Sequence, residues 1–187
     1  PVFEERAKES FELLAPFYDK MHKRITRKAI KPRPVDYHPY DVGGGVEDVT
    51  SVDRLRQDYE ETGGIEVARI DSEHPVLSPD ENVRARVVHD YMSHISPKKP
   101  AGFSSPTVPG SIFQEIRAYN IHLKTLPPAA APALFTEVMG QVCYYYVYED
   151  FIEQKVALLD GFDYLNPGIV YPETGYKNVG RRLVPIN

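Results

Sequence analysis

Cysteine is almost missing from this chain: Cys143 stands alone, so no internal disulfide can form and no cysteine-based zinc knuckle can be built. Long apolar runs are missing too. Nothing approaches the roughly 18 apolar residues a membrane span needs, and the opening Pro1-Val2-Phe3-Glu4-Glu5-Arg6 lacks the hydrophobic core of a secretory signal. Pro1 is what remains when an initiator methionine is trimmed, which suits an intact cytoplasmic product. Positive charge is not in excess: 22 basic against 27 acidic residues leave a net −5, no broad cationic surface for phosphate backbones, and therefore no expected nucleic-acid or membrane partner. Gly43-Gly44-Gly45 lacks the following Lys-Ser/Thr of a phosphate loop.

What the chain does have is enough apolar material for one core, 42% of 187 residues, with no shift in composition that calls for a second domain. The expectation is a mainly α, single-domain helical bundle with a short strand or hairpin and long proline-rich arms. Residues 1–49 read as an N-terminal helix and extended arm, 50–160 as the helical core, and 161–187 as a tail over the surface or onto a neighbouring subunit. Phe3, Ala7, Phe11, Leu14 and Tyr18 space a helix over 3–30, kinked near Pro16. Its basic end, Lys20 to Lys31, reads as a solvated face. From Lys31 to Val49 neither period holds, which predicts a loop. Thr50 or Ser51 caps a helix through Glu61 that Gly63-Gly64 ends, and Ile65 to Ile70 alternates like a strand. Ser78-Pro79-Asp80-Glu81 is a capping box with proline at the first helical position, opening a helix to about Ile95. Ser111 opens another to about Thr125. Pro132 starts a third, reaching about Leu159, whose apolar circumference makes it the expected centre of the core.

Chemistry gathers at the end of the helix that begins at Pro79. Neutral imidazole is the commonest protein metal ligand, and His89 and His94 flank Asp90 there. With His89 at zero, an α-helix puts Asp90 near 100° and His94 near 140°, so the pair converges if the last turn loosens before Pro97. Glu115 and His122 lie on nearly one face of the next helix beside an apolar stripe, where each needs a partner; a metal supplies one, and a salt bridge from Arg86 or Arg117 is the rival. Glu137 and Gln141 sit one turn apart on the last helix. The expected site is therefore His89, His94 and Glu115 on one divalent metal, most plausibly zinc, with Glu137 or Asp90 as catalytic base and Gln141, His122 and Arg86 as orienting partners. The proline-rich connection from Ser96 to Gly110 is placed like a lid, with Phe103 as its anchor.

The run Asn82-x-x-x-Arg86-Val-Val-His89-Asp90-Tyr-Met-Ser-His94, then Glu115-Ile-Arg-Ala-Tyr119, then Thr136-Glu137-x-x-x-Gln141 resembles a family of phage and mobile-element proteins commonly labelled metallopeptidases. Those proteins pair an Arg-x-x-His-Asp-x-x-x-His segment with a downstream Glu-x-x-Ala-Tyr and a Thr-Glu-x-x-x-Gln helix. The likeness spans about Asp58 to Lys155. It implies a mainly helical fold with His89, His94 and an acid at a metal. Two positions depart from the pattern, Ser93 and Gln114, where the family has glycine before the second histidine and before the glutamate.

Two other readings stand beside a zinc-dependent peptide or protein hydrolase. His89-Asp90 in an apolar helix also resembles the metal dyad of HD-type phosphohydrolases, which attack phosphoesters but want an additional upstream helical histidine, whereas His74 sits in the extended Glu73-His74-Pro75. The third is a non-catalytic virion or assembly protein whose terminal arms hold neighbouring copies or a virion partner, making the chain virion-associated instead.

Overall fold

The computed structural model describes residues 2–40, 48–98, 102–103, 112–148, 152–159, 162–169, 176–179 and 182–185. The chain is mainly α and forms a single domain, as expected. Gly43 to Gly45 and most of the expected lid, including 104–110, lie outside the described residues. No helix among the described residues is long and apolar enough to cross a membrane.

The N-terminal helix is two helices, α1 (Val2–Glu12) and α2 (Leu14–Lys28), and the break falls at Leu13 rather than at Pro16. The reason is local: proline at 16 has no amide to give, and its ring crowds the carbonyl four residues back, so the interruption lies upstream of the ring. Phe11, Leu14, Phe17, Tyr18, Met21 and Ile25 bury the inner face of this pair, while Lys20, Lys23, Arg24, Arg27 and Lys28 are exposed, as a solvated face should be. Ser10 ties α1 to the far end of the sequence. Its buried hydroxyl donates to the Ala129 carbonyl at 2.8 Å and accepts the Ala133 amide at 3.1 Å.

The segment after α2 corrects the loop expectation. Lys31–Val35 is a strand, β1, paired in parallel with β2 (Gly64–Ala68) through helix α3 (Asp48–Thr62). Pro32 and Pro34 obscured it, because proline normally argues against a strand. Here the amides of Lys31 and its alternates face β2, with Lys31 N bonding Gly63 O at 3.0 Å, so both prolines fall where the missing N–H would point away, on the free edge. α3 begins at Asp48, before the expected caps Thr50 and Ser51, and ends where expected, at Gly63 with φ +67°. β2 stops at Ala68, two residues before the expected Ile70. The Arg86 guanidinium explains this: it donates to the carbonyls of Ala68 (2.9 Å), Ile70 (2.8 Å) and Asp71, bending the chain toward Asp71, whose φ is +51°.

The capping box at Ser78 is present in both halves and opens α4 (Pro79–His89). α4 packs on α2 and β2, and Arg84 of α4 meets Asp19 of α2 at 2.5 Å. A π-helical turn (Asp90–Ile95) extends it to the expected end. Next come α5 (Ile112–Leu123), a short 3-10 turn (Pro128–Ala130), α6 (Ala131–Phe135), a second π-helical turn (Thr136–Gly140) and α7 (Gln141–Tyr148). The expected long helix to Leu159 therefore ends by Tyr148, and only its first part is central: Ala131 to Leu134 are buried, but α7 buries no residue. After it, residues 152–159 run extended with Gln154, Val156 and Leu158 turned inward, a period of two that the apolar content concealed. The tail is not featureless. Tyr119 Oη donates to Pro167 O at 2.7 Å and Asn120 holds Ile169 through both backbone groups, and β3 (Tyr176–Val179) pairs antiparallel with β4 (Arg182–Pro185).

Gly64 carries the parallel pairing. A Cβ added there would sit 2.2 Å from the Lys31 carbonyl oxygen and 2.8 Å from the Arg33 guanidinium. The first neighbour is backbone and cannot step aside without parting the strands. Gly64→Ala is expected to destabilise the fold by at least about 2 kcal/mol, read as a lowered midpoint in urea unfolding; an unchanged midpoint would mean that β1 can leave β2 at no cost.

Candidate metal centre

The two histidines meet because α4 changes its winding. In an α-helix residues four apart share a face; where the backbone closes with i→i+5 bonds, residues five apart do so instead. Ser96 N bonds Tyr91 O at 2.8 Å, five residues back, and the π turn brings His94 beneath His89. Their Nε2 atoms are 3.2 Å apart, with ring centroids at 5.1 Å and planes at 67°. Asp90 joins them: His89, Asp90 and His94 each offer a ligand atom, all within 4.8 Å of one another. Two nitrogens about 2.0–2.1 Å from a tetrahedral zinc stand about 3.3 Å apart, so the observed spacing is close to that of two nitrogen ligands sharing one ion. Without a cation the same spacing is an N–H···N hydrogen bond.

Packing fixes both rings. His94 is 1% exposed, Phe103 meets it edge-on at 4.7 Å, and Arg56 Nε donates to its carbonyl at 3.0 Å. Phe103 thus anchors its segment as expected, and it does so on the site itself. His122 of α5 stacks on His89 at 5.4 Å with 7° between planes. Its Nε2 is 3.2 Å from Ser93 Oγ, while its Nδ1 is buried with no hydrogen-bond partner. Tyr18 closes the ring wall, edge-on to His122 at 6.4 Å.

Burial sets the charge of the cluster. Desolvation pushes His89 down to about 4, and desolvation, then the neighbouring His89, pushes His122 down to about 3, so both rings are neutral at pH 7 and keep a lone pair for a cation. Desolvation raises Asp90 to about 7, against the pull of the Arg86 guanidinium. A carboxyl that holds its proton this tightly in an apolar setting gives it up to a cation. Neutral imidazoles and a displaceable proton form a donor set suited to a divalent metal.

Glu137 faces the cluster across a cleft of about 430 Å3 that His74, His89, Asp90, Glu115, Glu137 and Gln141 help to line. It stands on the second π turn, and Gln141 Nε2 donates both to its Oε2 and to Gln154 Oε1, each at 3.0 Å. His74 Nε2 approaches Glu137 Oε1 at 3.4 Å. His74 Nδ1 accepts the amides of Val76 and Leu77 at 3.1 and 2.9 Å, which places the ring proton on Nε2, a buried atom that completes no hydrogen bond to the carboxylate. The charge on Glu137 in turn adds to burial in raising the Tyr18 hydroxyl above its ordinary range.

Of the residues chosen from sequence, His89, His94 and Asp90 form the tight group; Glu115, buried on α5, lines the same cleft outside that group, and Asp90 holds the third close position. Gln141 orients Glu137 and His122 stacks on His89, both as orienting partners. Arg86 is committed to the strand-end carbonyls and acts on the cluster only through its charge. Sequence reasoning passed over His74 and Tyr18. His74 was set aside for its extended setting, and only a folded loop could bring it to Glu137; Tyr18 read as one more apolar position on a helix. Comparison with known proteins finds no matching family model, curated protein or solved structure.

The shifted groups predict a pH dependence for the metal-free protein. His89 and His122 have folded values below the unfolded 6.5, so their contribution is lost as pH falls from about 6.5 toward 4. Asp90 has a folded value above the unfolded 3.8, so its contribution is present in acid and lost as pH rises to about 7. Near pH 5 the two histidines outweigh the one carboxyl, and stability rises with pH. Asp90→Asn removes the opposing group and is expected to steepen that slope by about 1.4 kcal/mol per pH unit, measured by urea unfolding between pH 4.5 and 6; an unaltered slope would mean Asp90 is ionised in the folded state.

Proposed function

We propose that this protein is a divalent-metal-dependent hydrolase of amide bonds, with His89, His94 and Asp90 holding zinc, Glu115 on the cleft wall beside them and Glu137 as the proton acceptor. The observation that carries this reading is the 3.2 Å between two Nε2 atoms, produced by a local rewinding of the helix and matched to a shared ion. The motif resemblance to phage and mobile-element metallopeptidases points the same way. A zinc bound there supplies a Lewis acid for the scissile carbonyl and acidifies water toward neutrality. Glu137, free of the tight group and aimed by Gln141, accepts the proton of the attacking water and returns it to the leaving amine. Asp90 would help to hold the ion instead of acting as base, since its carboxylate lies with the two imidazoles. The ring of Phe103 over His94 and the buried side of His122 shield the cluster from bulk water.

A second reading is favoured by one observation. His89 and Asp90 are adjacent in sequence and both belong to the tight group, as in the dyad of HD-type phosphohydrolases. Against it, His74 faces Glu137 and not the dyad. Phosphoester cleavage without peptide cleavage would establish that alternative.

Metal content and turnover separate the roles. His89→Ala is expected to weaken zinc binding at least about 100-fold, read by metal analysis after dialysis. Glu137→Gln is expected to keep zinc and lose about 10²- to 10⁴-fold in turnover of a peptide substrate. Loss of zinc from the Glu137 variant, or full activity in it, would remove Glu137 from the role of base; wild-type protein that takes up no zinc would end the metal reading.

A further inference from the structure

The cleft continues past Glu137. Glu137, Gln141 and Gln154 also line one end of a second hollow, of about 690 Å3, bounded by α5, the turn Thr136–Gly140, α7 and residues 152–159. Its body is apolar, walled by Ile112, Ile116, Phe135, Met139, Leu159 and Ile169. The extended segment forms the outer wall because Val156 and Leu158 pack on the core, and because Gly140 lets it close in: a Cβ on that glycine would lie 3.1 Å from Leu159 Cδ1. The cleft also shares His38, His74, Arg86 and Gln141 with an adjoining hollow of about 740 Å3, whose lining adds Asp71, Glu73 and Glu153. A ligand reaching across Glu137 is therefore met by apolar walls in one hollow and charged side chains in the adjoining one. Apolar hollows of this size, with a few polar groups at one end, are the usual form of a ligand site.

We propose that the apolar hollow receives a bulky apolar side chain adjoining the scissile bond of a peptide, and so sets the specificity of the hydrolase; this rests on the function proposed above. The contrast between the two ends selects a peptide as occupant. Its hydrophilic backbone suits the polar hollow, and one large side chain placed next to the reacting carbonyl enters the apolar one. Glu137 joins the cleft to the apolar hollow, since it lines both.

Cys143 lines this hollow and is the chain's one cysteine, which makes occupancy readable without activity. The rate of its alkylation by N-ethylmaleimide is measured on the zinc-loaded and the metal-free protein, with a blocked peptide carrying phenylalanine or with its alanine counterpart. The phenylalanine peptide is expected to slow alkylation several-fold in both forms and the alanine peptide to leave it unaltered. In turnover, kcat/KM is expected to favour phenylalanine by about 10- to 100-fold, and Ala157→Trp, which projects an indole into the hollow, to bring that ratio near one. Slowed alkylation with no cleavage of either peptide supports the hollow and overturns the hydrolase; cleavage of both peptides at equal kcat/KM with unaltered alkylation overturns the hollow and leaves the hydrolase standing.

Discussion

An i→i+5 closure spends a residue without lengthening the helix by a full α step, and isolated helices avoid it. In this protein the turn Asp90–Ile95 persists because its side chains are over-determined by what surrounds them. Ser93 and His94 are fully buried, Tyr91 meets Tyr59 edge-on at 6.0 Å, and His94 is held by Arg56 through its carbonyl and by Phe103 through its ring. Were the helix to continue as α, His94 would point about 140° away from His89 and the cluster would not exist. The second π turn carries Glu137, whose carboxylate Gln141 holds from one turn on. Two helices, each rewound over a few residues, thus face each other across one cleft.

The electrostatic character of the cleft follows from that packing. Bringing His89, His122 and Asp90 into apolar surroundings favours their neutral forms, and Arg86, whose charge opposes this at Asp90, is already bonded to the carbonyls where β2 ends. The same guanidinium fixes α4 to the loop that carries His74. A single side chain therefore joins the strand end, the histidine helix and the loop that carries His74 beside Glu137, through bonds to backbone carbonyls.

Sequence made the helices from 79 and from 111 legible because their starts and stops are written in local chemistry: a capping box, a proline and an apolar stripe. It made His89, Asp90, His94 and Glu137 legible because ionisable groups on apolar faces need partners. It hid β1, where two prolines mimic a loop unless the pairing partner is known, and it hid the extended run 152–159, where apolar residues satisfy a helical period as well as a period of two. The third close donor was also out of reach. Whether Asp90 or Glu115 stands beside the imidazoles depends on the widened turn, and no residue type specifies an i→i+5 bond. His74 entered only through tertiary folding, since nothing in Glu73-His74-Pro75 announces a buried ring.

Ser10 has a consequence for the order in which the chain assembles. Its hydroxyl is completed only by Ala129 and Ala133, and α1 finds its apolar neighbours in the same late segment. Contacts this distant in sequence carry a loop-closure cost before they return anything. As the protein is synthesised, α1 gains cover first from α2 and from the His74 ring on Phe11, and its cover is completed only when α6 exists. α1 is thus made well before the segment that completes its cover, and over that interval part of its apolar face stays open.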